Sequence, residues 1–282
     1  MKRRDFLKFS LLAGTPAWGA PARHANDVVY LGPDKIRLTR LAMGTGTLGG
    51  RQGRILGIQG LADLLHFGYD NGLIFWDAAD SYGSHPHLKE ALKRVPREKV
   101  TIMTKSFSRT ADGMRKDMDR YRREVGTDYF DIVLVHCVTK PDWPEECKGA
   151  MEVLSELREK GIVRTHGVSC HSLEALKVAA KTPWVKVDLA RINPAGAKMD
   201  ADPQTVLGVL REMKAAGKGI IGMKILGEGT LRDRVDESLQ FALAQSVIDC
   251  FTIGAENRGE LTDLIKRIPV AAGVARNMPQ AA

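Results

Sequence analysis

The feature that most constrains this chain is the repeated alternation, after about residue 26, of a short apolar run with a longer amphipathic run. Eight strand-like runs recur at intervals of 22 to 33 residues, about the length of one strand plus a crossover helix. They begin near Leu41, Leu73, Thr101, Ile132, Thr165, Val187, Ile220 and Cys250. Eight such units predict an α/β fold of the (β/α)8 TIM barrel type, which usually needs about 250 residues.

The composition of the runs supports parallel strands joined by helices. Residues 73–76 and 132–135 are continuously apolar, as expected for strands that are covered on both sides. Between the strands, Leu61, Leu64 and Leu65 recur at helical spacing. A doubly wound open sheet would show a similar pattern and is the alternative fold.

A β-hairpin is predicted ahead of the first barrel strand. Residues 28–30 and 35–38 are strand-like and flank the turn sequence Gly32-Pro33-Asp34. We expect this hairpin to close the bottom of the barrel, and residues 27–282 to form a single domain.

Composition and charge exclude several other classes of protein. The chain is 44% apolar and 27% charged, which excludes a disordered chain, and no uncharged apolar stretch of 18 residues could anchor it in a membrane. Residues 1–22 contribute +3 of the net charge of +8, and a surplus of +5 over the remaining residues gives only weak support for nucleic-acid binding. The four cysteines are far apart, which favours buried free thiols.

Residues 1–22 predict an export signal. The run Arg3-Arg4-Asp5-Phe6-Leu7-Lys8 resembles the twin-arginine motif, and it is followed by a mildly apolar segment and small residues. The resemblance implies recognition of the folded chain by the twin-arginine translocation machinery and a periplasmic location, with the cleavage point open. The alternative is an amphipathic N-terminal helix or a frayed tail.

Four chemically active residues follow or end successive strands. They are Asp77, Tyr82, Lys105 and His136, and the carboxyl ends of barrel strands meet at one mouth. Each has an ordinary structural explanation when taken singly, but the set is suited to proton transfer. An ammonium near a tyrosine stabilises the phenolate, so we expect Lys105 to lower the pKa of Tyr82 from about 10. A buried carboxylate keeps that ammonium charged, and a histidine N–H polarises a substrate oxygen.

The chain resembles the aldo-keto reductase superfamily over nearly all of its length after residue 26. The matching stretches are 41–46, 75–83, 104–105, 128–136 and 160–169. The resemblance implies that Asp77, Tyr82, Lys105 and His136 form a catalytic tetrad, with Tyr82 as the general acid-base. It also implies hydride transfer between a nicotinamide cofactor and an aldehyde, ketone or alcohol of low molecular weight.

The resemblance implies a nicotinamide dinucleotide, usually NADP, with NAD as the other possibility. The positions that it assigns to the cofactor are Gly44, Thr45, Ser169, Cys170, Met223, Lys224, Leu226, Gly254 and Arg258. Several depart from the family pattern: Cys170 replaces an asparagine, and Met223 replaces the tyrosine that stacks on the nicotinamide. The arginine that binds the 2′-phosphate corresponds to Glu260, for which Arg258 could substitute.

Two further functions use the same residues differently. His136-Cys137 and Cys170-His171 could supply zinc ligands to a metal-dependent hydrolase, although adjacent strand residues point to opposite sides. We expect no metal, and we expect residues 85–87 to lie at the surface. The other alternative is a barrel that binds a nicotinamide nucleotide without catalysis.

Exchange of Arg3 and Arg4 for lysine tests the export signal. We expect the double variant to stay in the cytoplasm with an unchanged fold, because the motif is read by the export machinery and not by the barrel. Cell fractionation followed by immunoblotting measures this, and equal export of the variant and the natural chain would contradict the assignment.

Overall fold

The computed structural model describes residues 23–275, and the predicted signal at 1–22 lies outside the described residues. The strands, in chain order, are β1 (Val28–Leu31), β2 (Ile36–Thr39), β3 (Leu41–Gly44), β4 (Phe75–Asp77), β5 (Thr101–Ser106), β6 (Phe130–Val138), β7 (Val163–Cys170), β8 (Val187–Arg191), β9 (Gly219–Met223) and β10 (Cys250–Gly254). The helices are α1 (Arg51–Asp70), α2 (His85–Leu92), α3 (Ala111–Val125), α4 (Trp143–Glu146), α5 (Lys148–Glu159), α6 (Leu173–Lys181), α7 (Pro203–Ala215), α8 (Val235–Ala244) and α9 (Arg258–Ala275).

Strands β3 to β10 form a closed parallel barrel. Each pairs with the next in sequence, and β10 pairs with both β9 and β3. Closure confirms the (β/α)8 barrel and excludes the doubly wound open sheet. The second barrel strand begins at Phe75 and not at Leu73, because the Leu73 amide donates to the Gly68 carbonyl at the end of α1.

The predicted hairpin closes the N-terminal end of the barrel. Strands β1 and β2 are antiparallel, with Val28 opposite Thr39 and Leu31 opposite Ile36. Leu31 and Leu38 are fully buried in one apolar cluster with alternate residues of the barrel strands, among them Phe75. Since successive strand residues point to opposite sides, this cluster is the barrel interior, and the hairpin fills its lower end. Only the opposite end remains for chemistry.

Local signals in the sequence set the helix ends. Thr110 caps α3 by accepting a hydrogen bond from the Gly113 amide, and Gly126, at φ 72°, ends that helix. Asp202 caps α7 through the amides of Gln204 and Thr205. Within residues 23–275, no helix is both long enough and apolar enough to cross a membrane.

The outer face of β8 carries a buried carboxyl group. Asp188 is fully buried, and the Cys170 thiol donates a hydrogen bond of 3.2 Å to its Oδ1. Its Oδ2 has no partner within the described chain. Burial raises the pKa of Asp188 to about 7. The folded protein therefore holds a proton that the unfolded chain releases at about pH 4.

Asp188→Asn should stabilise the protein more at pH 8 than at pH 5. A raised folded-state pKa means that stability is lost as the pH rises from about 4 to about 7, and asparagine removes this loss. We expect the gain in the free energy of unfolding to be about 2 kcal/mol larger at pH 8 than at pH 5. Urea titrations at both pH values measure it, with the exposed Asp128→Asn as control. Equal gains in the free energy of unfolding at the two pH values would contradict the raised pKa of Asp188.

Candidate active site

The barrel brings the four strand-end residues to one mouth. Asp77 ends β4, Lys105 lies in β5 and His136 lies in β6. Tyr82 ends a single 3-10 turn, Asp80–Tyr82, directly after β4. Because β4, β5 and β6 are consecutive neighbours in the barrel, the four side chains lie at the carboxyl ends of adjacent strands.

A buried ion pair forms the floor of the site. The Lys105 side chain is fully buried, and its Nζ donates to Asp77 Oδ1 and to the Ala78 carbonyl, the latter at 2.8 Å. Thr252 Oγ1 donates to the other carboxylate oxygen of Asp77 at 2.8 Å. Burial alone would lower the pKa of Lys105, but the Asp77 carboxylate raises it above the usual value. The lysine is therefore a permanent cation at physiological pH.

Tyr82 lies above this ion pair. Lys105 Nζ is 4.6 Å from the centre of its ring, and a Cβ on Gly46 would come within 2.4 Å of that ring, so only glycine fits there. Burial raises the pKa of Tyr82 above 10, while the Lys105 charge acts in the opposite direction. Lys105 lowers the pKa of Tyr82 as expected, but burial of the phenol outweighs the lysine, so the net shift of the pKa is upward and not downward. The phenol is protonated at neutral pH and can donate a proton.

His136 is a neutral imidazole at the same mouth. Its ring meets the Tyr82 ring edge-on at 5.8 Å between centres and stacks on Phe107 at 4.5 Å. Burial, followed by the positive charge of Lys105, lowers the pKa of His136 to about 2. Its Nδ1 is buried without a hydrogen-bond partner among residues 23–275. Such a ring can donate a hydrogen bond to a ligand but cannot act as a cation.

A cavity of about 180 Å³ opens beside Tyr82. Its lining includes Asp77, Tyr82, Thr252 and the apolar side chains of Leu189 and Met223. Four glycines also line it: Gly44, Gly46, Gly229 and Gly254. A Cβ on Gly254 would lie 2.0 Å from the Gln52 side chain, so only glycine lets Gln52 pack against the end of β10.

The cavity rim carries cationic groups. Lys224 pairs with Glu228 at 2.7 Å. Arg232 is exposed, and within the described residues no ion pair or hydrogen bond engages its guanidinium. A cation of this kind at the rim is available to an anionic ligand.

The predicted cofactor positions divide into three groups. Gly44, Met223, Lys224, Leu226 and Gly254 line the cavity. Thr45 and Ser169 are buried: Thr45 donates to the Asp77 carbonyl at 2.8 Å, and Ser169 Oγ accepts from the Cys137 amide at 2.9 Å.

Two of the positions lie elsewhere. Cys170 faces Asp188 outside the barrel, since residues 169 and 170 point to opposite sides of β7, so the structure does not support a contact with a ligand in the cavity. Arg258 is exposed at the first turn of α9, with its guanidinium carbon 5.5 Å from the centre of the Phe67 ring.

The first turn of α9 is closed by its own side chains. Asn257 Oδ1 accepts from the Glu260 amide at 2.9 Å, while Glu260 accepts from the Glu256 amide at 2.8 Å and from Asn257 Nδ2 at 2.9 Å. This reciprocal capping places a carboxylate where a helix N-terminus would otherwise attract an anion.

The proposed zinc ligands do not converge. Cys170 turns away from the mouth, so only one residue of the pair 170–171 faces His136, with 6.3 Å between the centres of the His136 and His171 rings. A second group, Asp80, His85 and Glu124, has ligand atoms within 4.8 Å of one another. There, Arg120 already donates hydrogen bonds to both carboxylates at 2.8 to 3.0 Å, so its guanidinium provides the positive charge that a metal ion would otherwise provide.

The histidines at 85 and 87 were expected at the surface, and that expectation is wrong. Both are buried at the start of α2. The His85 ring bridges Glu124 and Thr104, at 2.8 Å from each, and His87 Nε2 lies 3.3 Å from the Gly53 carbonyl.

Several residues of the site were missed from the sequence. Thr252 comes from the last barrel strand and reaches Asp77 only because the barrel closes. Phe107 lies two residues past Lys105 and is half exposed, at 51%. Arg232 follows an irregular segment after β9, where neither helical nor strand periodicity gives a signal.

Comparison with known proteins assigns this chain to a protein family. The model of the Aldo/keto reductase family matches residues 40–266. An NADH-specific methylglyoxal reductase of Escherichia coli is 26% identical over 166 residues, which cover 50% of this chain and 51% of that protein. An L-galactose dehydrogenase of Arabidopsis thaliana is 24% identical over 72% of this chain and 66% of its own length. The match thus spans about half to two thirds of these relatives.

A solved structure shares the fold. A Pseudomonas aeruginosa protein described as an aldo-keto reductase superposes with a TM-score of 0.75 over 88% of this chain and 97% of its own. Identity to that structure is 23%, so it supports the barrel and nothing finer.

Proposed function

The chain belongs to the aldo/keto reductase family, and from that premise we propose that it is an oxidoreductase that transfers hydride between a nicotinamide dinucleotide and a small carbonyl compound or alcohol. The observation that carries the proposal is the buried Asp77–Lys105 ion pair beneath Tyr82, with neutral His136 at the same mouth. This arrangement suits a proton transfer to or from a substrate oxygen.

The residues that line the cavity fit such a cofactor. Gly44 and Gly254 line the cavity in which a planar ring and its ribose would lie, and Met223 and Leu189 offer an apolar surface to pack on that ring. Arg232 would hold phosphate oxygens at the rim. When bound, the nicotinamide supplies or accepts the hydride, and the protein supplies the rest.

Tyr82 is the proposed proton donor in reduction and acceptor in oxidation. Its phenol is protonated at neutral pH because burial keeps its pKa high, and the Lys105 ammonium stabilises the phenolate that proton donation leaves. Asp77 keeps that ammonium charged in a buried position. Neither Lys105 nor Asp77 needs to gain or lose a proton during the reaction.

His136 is proposed to orient the substrate oxygen. As a neutral ring it can donate one N–H to that oxygen, and it does not compete with Tyr82 as the acid because its pKa is about 2. Phe107 stacks on this ring and covers one side of it. The oxygen would therefore lie between a phenol that transfers a proton and an imidazole that does not.

We propose NADH as the preferred form of the cofactor, in place of the NADP that the family resemblance implies. By the family resemblance, the adenosine end lies beside α9, and in this chain Glu260 occupies the helix N-terminus with Glu256 nearby. The Glu260 carboxylate there would repel a 2′-phosphate, whereas Glu256 is paired with Arg51 at 2.9 Å. Arg258 is exposed, with its guanidinium carbon 5.5 Å from the centre of the Phe67 ring. Relatives named for NADH and for NADPH both occur.

Export remains a proposal in which the chain folds and takes up its cofactor before it crosses the membrane through the twin-arginine machinery. Support comes from the Arg3-Arg4 motif alone. The lysine exchange described above tests it.

Tyr82→Phe should lower turnover at least 100-fold, because it removes the proton donor and keeps the ring. The measurement is reduction of 4-nitrobenzaldehyde with NADH and NADPH, together with titration of each cofactor. We expect the dissociation constants to change less than about twofold and NADH to bind more tightly than NADPH. Tyr129→Phe, at the opposite end of the barrel, is the control and should match the natural enzyme.

Three results would contradict this proposal. Full activity of Tyr82→Phe would refute the role of the phenol. Tight binding of the cofactor without any turnover would favour the non-catalytic barrel. Activity that needs no nicotinamide and is lost to chelators would favour the metal-dependent hydrolase.

A further inference from the structure

A polar network on α3 contacts the segments that carry Tyr82, Lys105 and Phe107. We call it the α3 network, and it consists of Asp117, Arg120 and Glu124, which lie at helical spacing on one face of α3. None of these three residues lines the cavity. Their contacts nevertheless extend to the turn after β4 and to the end of β5.

The first contact reaches the turn that carries Tyr82. Arg120 donates from its two Nη atoms to the two carboxylate oxygens of Asp80, at 2.8 and 2.9 Å. Asp80 begins the 3-10 turn that ends at Tyr82, and the turn itself has two backbone bonds, from Tyr82 to Ala79 at 3.1 Å and from Gly83 to Asp80 at 3.0 Å. A turn this short does not fix its own orientation, so we infer that the bidentate pair between Arg120 and Asp80 orients it.

The second contact holds both neighbours of Lys105. Ser106 Oγ donates to Asp117 Oδ2 at 2.6 Å. On the other side, Thr104 Oγ1 lies 2.8 Å from His85 Nε2, and the Nδ1 of that ring lies 2.8 Å from Glu124. Residues 104 and 106 point outward where Lys105 points inward, so these bonds fix the strand from behind the lysine.

The third contact orders the loop that carries Phe107. Ser108 Oγ donates to Asp117 Oδ2 at 2.7 Å, and the Ser108 amide donates to Ser106 Oγ at 2.9 Å. Phe107, held between these two serines, is the residue that stacks on His136.

Arg120 connects the three contacts. Besides Asp80, it bonds Asp117 and Glu124 at 3.0 Å each, and its side chain is 40% exposed. Hydrogen bonds from Arg120 lower the pKa of Asp80, and Asp80 in turn holds the pKa of Arg120 well above its usual value. Asp80 and Arg120 are therefore both charged at neutral pH, which favours the bidentate pair between them.

We propose that Arg120 is a positioning residue, which sets the distance between the Tyr82 hydroxyl and the Lys105 ammonium by anchoring Asp80 and Asp117 to one guanidinium. The anchoring itself is independent of the proposed function, but the expected effect on turnover rests on it. A misplacement of about 1 Å at a reacting group costs up to roughly 100-fold in rate, so removal of the anchor should act on turnover.

The test compares Arg120→Gln with Arg115→Gln. Arg115 lies on the same helix and pairs with Glu156 at the surface, away from the site, so it controls for the loss of an ion pair from α3. We expect Arg120→Gln to lower kcat 10- to 100-fold, with the dissociation constant of NADH changed less than about twofold. Arg120→Lys keeps the charge but not the bidentate geometry, and it should restore only part of kcat.

Hydrogen exchange followed by mass spectrometry gives a readout that needs no turnover. Peptides that contain the amides of Tyr82 and Gly83, and of 106–108, should exchange about tenfold faster in Arg120→Gln and not in Arg115→Gln. If Arg120→Gln does not fold, Asp80→Asn, which weakens the same pair at its other end, takes its place.

The outcomes separate this inference from the proposed function. A kcat of Arg120→Gln within twofold of the natural enzyme would overturn the positioning role. If the natural protein shows no turnover at all, the proposed function fails, and the exchange rates alone decide. Faster exchange confined to the two segments would then support the anchor, and unchanged exchange would overturn it.

Discussion

The structure of the site depends on one buried interaction, the ion pair between Lys105 and Asp77. A fully buried ammonium is costly unless a charge and hydrogen bonds compensate for its lost hydration. Here the Asp77 carboxylate, the Ala78 carbonyl and, through Asp77, the Thr252 hydroxyl supply that compensation. The pair fixes a positive charge below Tyr82, so the lysine remains a cation that can stabilise a phenolate above it.

The closed barrel is what makes this interaction possible. Asp77 and Lys105 lie on neighbouring strands, and Thr252 lies on the last strand, two positions around the barrel from Asp77. Barrel closure thus brings together residues that are 175 positions apart in sequence. The hairpin fills the opposite end with Leu31 and Leu38, which leaves the carboxyl ends of the strands as the open face. Fold and site are therefore linked through strand order and not through local sequence.

Much of this could be predicted from the sequence, and the remainder has physical reasons. The period of the strand-helix units predicted the barrel. The polar residues that follow the apolar runs predicted a site made of Asp77, Tyr82, Lys105 and His136, because strand ends in a barrel converge. The direction of the Tyr82 pKa could not be predicted, since it depends on the balance between burial and the Lys105 charge. The side to which Cys170 points depends on its register in β7. The α3 network joins α3 to the turn after β4, to the end of β5 and to the loop of Phe107. It does so through polar contacts, which leave no periodic signal in the sequence.

The most direct test of the central claim is the fate of the transferred hydrogen. The protein is mixed with 4-nitrobenzaldehyde and NADH that carries deuterium at both C4 positions of the nicotinamide, and the alcohol product is analysed by mass spectrometry. Our account predicts one deuterium at the carbinol carbon of the product, with the hydroxyl proton drawn through Tyr82 from solvent. Product without deuterium, or no product although NADH is bound, would contradict it.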